Sequence, residues 1–322
     1  MISQNLSILS TLRKLTTDLF CSTKNLHSSC RQYLHNNPLS MASVKLAYTL
    51  YEPVNKNEQN QNAEQPILLM HCLFGSKCNW NALPKIIHQK TKRKVIVVDA
   101  RNHGDSPHTS NMSYEEIAED VIQLLNDLGF ERAVLVGHSM GALAMMYTAL
   151  NFPQYVEKLA VVDMSPIRSP VSSIVLIKKI FKVMSSATAD GSPTLSEACK
   201  IIDQQFEKSI ESKTMRQFLI ANLVEVDLGK YKWQVNLPIL EQTFLTHIAV
   251  FPKVDTKIYA KPTLFIGGAK SEYIQVEDHD PIKKLFPLAE FHYIDGANHW
   301  VHVDKPIEFV DLLTNFINSP VL

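Results

Sequence analysis

Val134-Leu135-Val136-Gly137-His138-Ser139-Met140-Gly141-Ala142-Leu143 is the stretch whose reading decides the fold. A short apolar run reads as a buried strand, Gly-x-Ser-x-Gly follows at once, and an alanine- and methionine-rich stretch continues as a helix. A serine on such a strand-to-helix turn sits in strained backbone with its hydroxyl raised above the sheet. The glycines meet a steric need, because side chains at 137 and 141 would collide with the neighbouring strand and helix. The new helix also aims its free amides at the point where an oxyanion would form. With 10 glycines in 322 residues the pattern seldom arises by chance, and its flanks favour chemistry over a silent turn.

Working outward, strands alternate with helices. Upstream, residues 44–50 read as an edge strand, 55–65 as a polar loop, 66–71 as a buried strand, 80–89 as a helix and 94–98 as another buried strand. Residues 99–106 form a turn-rich loop, and 114–128 a helix whose Ser113 and Glu116 are spaced as a capping box. Downstream, Phe152-Pro153 stops the elbow helix and residues 158–162 form a strand ending at Asp163. This alternation implies a mostly parallel central sheet flanked by helices, an α/β class. The pattern breaks over residues 166–255, where 174–184, 194–210, 214–226 and 237–249 read as amphipathic helices. Such an all-helical insertion would lie as a lid over the carboxyl edge of the sheet, where ligands bind in α/β folds. The sheet resumes at 263–267 and 290–294, so the expected core is 44–165 with 256–322.

Bulk properties exclude several function classes. Lys+Arg and Asp+Glu both total 32, so no global field favours nucleic acid. Cys21, Cys30, Cys72, Cys78 and Cys199 are odd in number and lack a Cys-x-x-Cys pair, which argues against a disulfide framework and a zinc site. No apolar stretch approaches the length of a transmembrane segment. Residues 1–40 carry Arg13, Lys14, Lys24 and Arg31 against Asp18 alone, with Ile2, Leu6, Leu9, Leu12, Leu15 and Leu19 on one helical face. That composition resembles a presequence for import into the mitochondrial matrix; translation from Met41 would remove it and leave the chain cytoplasmic.

A serine hydroxyl needs an imidazole to take its proton. Of 12 histidines, His103 and His138 lie in turns, His292 alternates within a strand, and His302 falls on the wrong side of its loop. His299 follows the last strand and completes the chain order Ser, acid, His, which makes it the candidate base. The acid has two candidates. In Gly268-Ala269-Lys270-Ser271-Glu272, after the strand that follows the insertion, Ser271 holds the place usual for the acid and Glu272 lies beside it. Asp163 instead ends the strand after the elbow helix and so emerges on the same edge as Ser139. Neighbouring strands lie about 4.8 Å apart, so a carboxylate there can reach the far nitrogen of a histidine whose near nitrogen meets Ser139. Asp163 is taken first, with Glu272 as the alternative. The oxyanion donors are the backbone amides of Met140 and, from the loop after His71, Leu73. Ile174, Ile177, Phe181, Phe218 and Leu219 are expected to face an acyl chain.

The remaining clusters read as structure. Glu277-Asp278-His279-Asp280 is a solvated turn with Asp280-Pro281 as N-cap and N1, Lys178, Lys179 and Lys182 form a solvated face, and Gly267-Gly268 lacks phosphate-loop spacing. Neither a metal nor a cofactor is expected.

Gly137-His138-Ser139-Met140-Gly141, Asp99-Ala100-Arg101-Asn102-His103-Gly104-Asp105-Ser106 and Ala297-Asn298-His299-Trp300 together resemble the α/β-hydrolase superfamily. Leu73-Phe74-Gly75-Ser76-Lys77 and Asn222-Leu223-Val224-Glu225-Val226-Asp227 resemble its mitochondrial domain-containing protein 11 type and related small bacterial esterases, over residues 44–318. The resemblance implies a serine esterase or lipase acting on a small-molecule acyl ester, with medium- to long-acyl substrates such as diacylglycerol, and mitochondrial residence; a thioesterase or amidase with the same triad, or a non-catalytic binding protein on this fold, is the alternative. It also implies an acid on the earlier strand, as at Asp163. Cys72 departs from the family's usual glycine after His71, and Pro238 stands where some relatives carry an acid.

Overall fold

The computed structural model describes residues 43–52, 65–254 and 256–320. The expected presequence at 1–40 and nearly all of the polar loop at 55–65 lie outside the described residues.

The described elements run in chain order β1 Tyr48–Tyr51, β2 Ile67–Met70, α1 Leu83–Thr91, β3 Val95–Val98, α2 Tyr114–Asp127, β4 Ala133–His138, α3 Met140–Asn151 and β5 Val156–Val162. An insertion follows with α4 Val171–Ser186, α5 Leu195–Glu207, α6 Lys213–Ile220, β6 Leu223–Asp227, β7 Lys230–Trp233 and α7 Leu237–Thr243. The chain then returns to the sheet with β8 Thr263–Gly268, α8 His279–Leu285, β9 Ala289–Ile294, α9 Val301–Asp304 and α10 Pro306–Asn318.

Seven strands form one sheet in the order β1-β3-β2-β4-β5-β8-β9. All pairs are parallel except β1 with β3. The central strands are apolar at nearly every position because both faces are covered, and alternate side chains feed two separate cores. Leu68, Ile96, Leu135, Leu159 and Phe265 join the core beneath α2, α3 and the insertion. Their neighbours Leu69, Val97, Val136, Ala160 and Ile266 join the core beneath α1 and α10. This arrangement brings the carboxyl ends of β4, β5, β8 and β9 side by side.

The departures from the sequence reading have local causes. The edge strand begins at Tyr48 rather than 44, because Val44 N and Ala47 N donate to the side chains of Asp120 and Ser106 instead of a ladder. The helix expected over 80–89 is a single 3₁₀ turn, Lys77–Trp80, and then α1 with Pro84 in its first turn. The insertion is not all-helical. Where a helix was expected to 226, α6 ends at Ile220 and β6 and β7 form an antiparallel hairpin turning at Leu228-Gly229, with Gly229 at φ 68°. The helix expected to 249 continues past Thr243 as a π-helical turn, Phe244–Ile248. Helix α8 starts at His279, so its N-cap is Asp278 and Asp280 lies inside its first turn.

Candidate active site

Strand β4 drives straight into α3 through Ser139, whose φ of 54° and ψ of −117° lie outside the comfortable regions for a residue with a side chain. Close packing enforces the turn. A Cβ on Gly137 would come within 2.2 Å of the Gly141 carbonyl oxygen, and one on Gly141 within 2.6 Å of the Met70 and His71 carbonyl oxygens. Ser139 N donates to the Val162 carbonyl at 3.1 Å, tying the turn to the end of β5.

The next residue on β5 is Asp163, fully buried and also at positive φ, 51°. Its Oδ2 lies 2.7 Å from His299 Nδ1 and accepts from Ser271 Oγ; its Oδ1 accepts from Gly268 N at 3.0 Å. A buried carboxylate thus keeps its charge satisfied by three donors drawn from the ends of two neighbouring strands. His299 is fixed from other sides as well: the Tyr273 ring stacks on it at 3.9 Å between centroids, and His138 Nε2 donates to its carbonyl at 2.9 Å. Among the described residues no hydrogen bond joins Ser139 to His299.

Glu272 does not reach His299. Its side chain is exposed and accepts from Ser172 Oγ at 2.9 Å on the insertion.

The loop after β2 is set by two buried histidines. His71 Nε2 accepts from Ala100 N at 3.0 Å and its Nδ1 donates to the Cys72 carbonyl at 2.8 Å. His103 Nε2 accepts from Phe74 N at 3.3 Å and its Nδ1 donates to the Arg101 carbonyl at 3.0 Å. Each ring accepts at one nitrogen and donates at the other, so each is the neutral tautomer. Burial enforces this by lowering both pKa values, that of His103 to about 3. Phe74 N and Gly75 N are thereby committed, the latter to the Cys72 carbonyl, while the Leu73 and Met140 amides have no backbone acceptor among the described residues. From the insertion, Asn222 Nδ2 donates to the Phe74 carbonyl at 2.8 Å and holds the loop from above. Cys72 is accommodated as a buried side chain against Trp300, its thiol pushed up to about 12 by burial, so it rests as an inert thiol.

Leu73, Ser139 and Met140 line one cleft together with Met164, Ile174, Ile177, Phe244, Ile248 and Tyr273. It is almost wholly apolar and narrow, with about 30 Å³ open to a water-sized sphere, room for one water. Of the five expected apolar contacts only Ile174 and Ile177 face it. Phe181 packs between Phe74 and Phe244, Leu219 is buried in the core, and Phe218 lies against the Trp300 ring.

Elsewhere, the 277–280 cluster is engaged in structure: Asp278 pairs with Arg168 at 3.0 Å and accepts from Gln275 N, and His279 bonds Tyr293. His302, passed over in the sequence, is buried between Trp80 and His138. Sequence reasoning missed four supporting residues, Ser271 as a donor to Asp163, His138 on the His299 backbone, Tyr273 on its ring and Asn222 on the Phe74 carbonyl. The Asn222 stretch was visible only as part of a family motif.

A strained serine between β4 and α3 at the carboxyl edge of a mostly parallel sheet is the arrangement of the α/β-hydrolase class. The comparisons agree. Residues 67–312 match the model of the Alpha/beta hydrolase family, and the chain belongs to that family. It is 42% identical over 266 residues to the sn-1-specific diacylglycerol lipase ABHD11 of Mus musculus, spanning 82% of this chain and 85% of that one. It is 30% identical over 261 residues to Esterase YbfF of Escherichia coli, spanning 81% and 96%. Among solved structures a marine microorganism esterase superposes with a TM-score of 0.76 at 29% identity, covering 85% of this chain and all of the other. The chain is a carboxylic ester hydrolase.

Proposed function

We propose that the protein is a serine esterase or lipase that cleaves medium- to long-acyl esters, diacylglycerol among them, through a covalent acyl-enzyme. The observation that carries this reading is the buried Asp163 carboxylate 2.7 Å from His299 Nδ1, on the same strand edge as the strained Ser139. In this mechanism Ser139 Oγ attacks the ester carbonyl while His299 Nε2 takes its proton. The Leu73 and Met140 amides hold the oxyanion, and the proton passes from His299 to the departing alkoxide. Water then repeats the sequence on the acyl-serine. Asp163 accepts from Nδ1 throughout and fixes the orientation and tautomer of the imidazole.

Two features support an acyl-chain substrate. The accessible surface of the cleft at Ser139 is mostly apolar, and the relatives named above include a lipase for diacylglycerol. A cleft with room for one water must widen to take such a chain, so residues 166–255 act as a lid, with α4 and the Phe244–Ile248 turn parting. Residence in the mitochondrial matrix is proposed from the composition of residues 1–40, and fusing that stretch to a fluorescent reporter tests it, a cytosolic signal counting against it.

The decisive experiment is labelling with a fluorophosphonate, followed by a series of acyl esters of rising chain length. Ser139 should be the modified residue, and Ser139→Ala should lose labelling and turnover while keeping its thermal transition. Turnover should improve with each added methylene, by up to about 0.8 kcal/mol of binding. An alanine variant that still turns over at the parent rate would discard the mechanism.

A further inference from the structure

Helix α4 has two sides with different fates. Ile174 and Ile177 line the cleft at Ser139, while Val171 and Val175, beside them on the same helix, are 76% and 62% exposed, with Leu176 exposed at 40%. The facing wall repeats this. Phe244, Ile248 and Ala249 line the cleft, and their neighbours Leu245 and Val250 stand 47% and 55% exposed. Ser169 Oγ donates to the Ala249 carbonyl at 2.7 Å, joining the two walls. Both walls of the cleft therefore carry exposed apolar side chains beside the residues that line it.

Charge continues the same stripe. Lys178, Lys179 and Lys182 follow Val171 and Val175 on the exposed face, within about 16 Å of Val171 at 1.5 Å per residue. The helix contains three lysines and no acid, and none of the three makes an ion pair among the described residues. Glu272 accepts from Ser172 at the amino-terminal end of the helix, away from the lysines. An exposed apolar turn followed by uncompensated lysines is the pattern of a helix that lies in a lipid interface, apolar side chains among the acyl tails and ammonium groups at anionic headgroups.

The geometry points to the outer face of Val171–Ser186, with Leu245 and Val250, as a docking surface for a bilayer that carries anionic headgroups, set so that the mouth of the Ser139 cleft faces the lipid. The surface stands on exposed residues alone. That it delivers substrate rests on the ester hydrolysis proposed above.

The test uses the full chain carrying Ser139→Ala, so that lipid is not consumed, with vesicles of phosphatidylcholine alone or mixed with phosphatidylglycerol. The protein should co-sediment with the mixed vesicles and be released by salt. Lys178→Gln/Lys179→Gln/Lys182→Gln and Val171→Ser/Val175→Ser should each weaken partitioning by about tenfold or more. In the Ser139 background both variants should keep the parent melting temperature and the parent turnover of a soluble short-acyl ester. Absence of binding to mixed vesicles, or parent-like binding by both variants, overturns the proposal. So does self-association in sedimentation that Val171→Ser/Val175→Ser abolishes without any vesicle binding, which would make this face a contact between copies. Vesicle binding without ester turnover would overturn the proposed reaction and leave the docking surface standing.

Discussion

The ends of β5 and β8 lie side by side, and each offers a carboxylate, yet they use it differently. At the end of β5, Asp163 is buried and shared among His299, Ser271 and Gly268. At the end of β8, Glu272 points into solvent and braces the insertion through Ser172. From the same loop Tyr273 stacks on the imidazole, while Ser271 donates to Asp163 rather than replacing it. A family position for an acid can thus be filled by a hydroxyl once the neighbouring strand supplies the carboxylate, because one carboxylate is enough to orient the imidazole and a buried carboxylate needs donors.

Three substitutions sharpen this contrast. Asp163→Asn should cut kcat by about 10⁴, since His299 loses its orienting acceptor and tautomer, with KM for a soluble ester little changed. Parent-like turnover there would dissolve the distinction between the two strand ends. Ser271→Ala should cost about tenfold in kcat, the loss of one hydrogen bond to a charged group, because Gly268 N and His299 still hold the carboxylate. Glu272→Gln should stay within about twofold in kcat and about 0.5 kcal/mol in urea unfolding, as befits an exposed contact. If Glu272→Gln is crippled and Asp163→Asn is not, the assignment reverses.

Much of this was legible from residues alone, for identifiable reasons. Strand-turn-helix context and chain order single out Ser139 and His299, and the parallelism of a sheet whose strands leave at one edge, together with the family resemblance, favours Asp163 over Glu272. What escaped depends on side-chain direction. Ser271 was seen at its position, but nothing in sequence says that its hydroxyl points at a carboxylate 108 residues earlier. Phe181 shares a helical period with Ile174 and Ile177, Leu219 lies on another amphipathic helix, and only the packed rotation of each helix separates cleft from core. The hairpin of β6 and β7 was missed because a short run such as Leu223–Val226 is ambiguous between strand and helix end. The tautomers of His71 and His103 rest on contacts 29 residues distant.

The backbone of Ser139 has a thermodynamic consequence. A non-glycine residue at φ 54° stores on the order of 1–3 kcal/mol, which the folded chain carries permanently to present one hydroxyl. Glycine adopts that geometry without the Cβ penalty, although it enlarges the unfolded ensemble. Ser139→Gly should therefore melt higher than Ser139→Ala, two inert proteins differing only in whether a side chain must be forced through the turn. The gap between their melting temperatures measures what the fold gives up in resilience to keep a reactive atom in place.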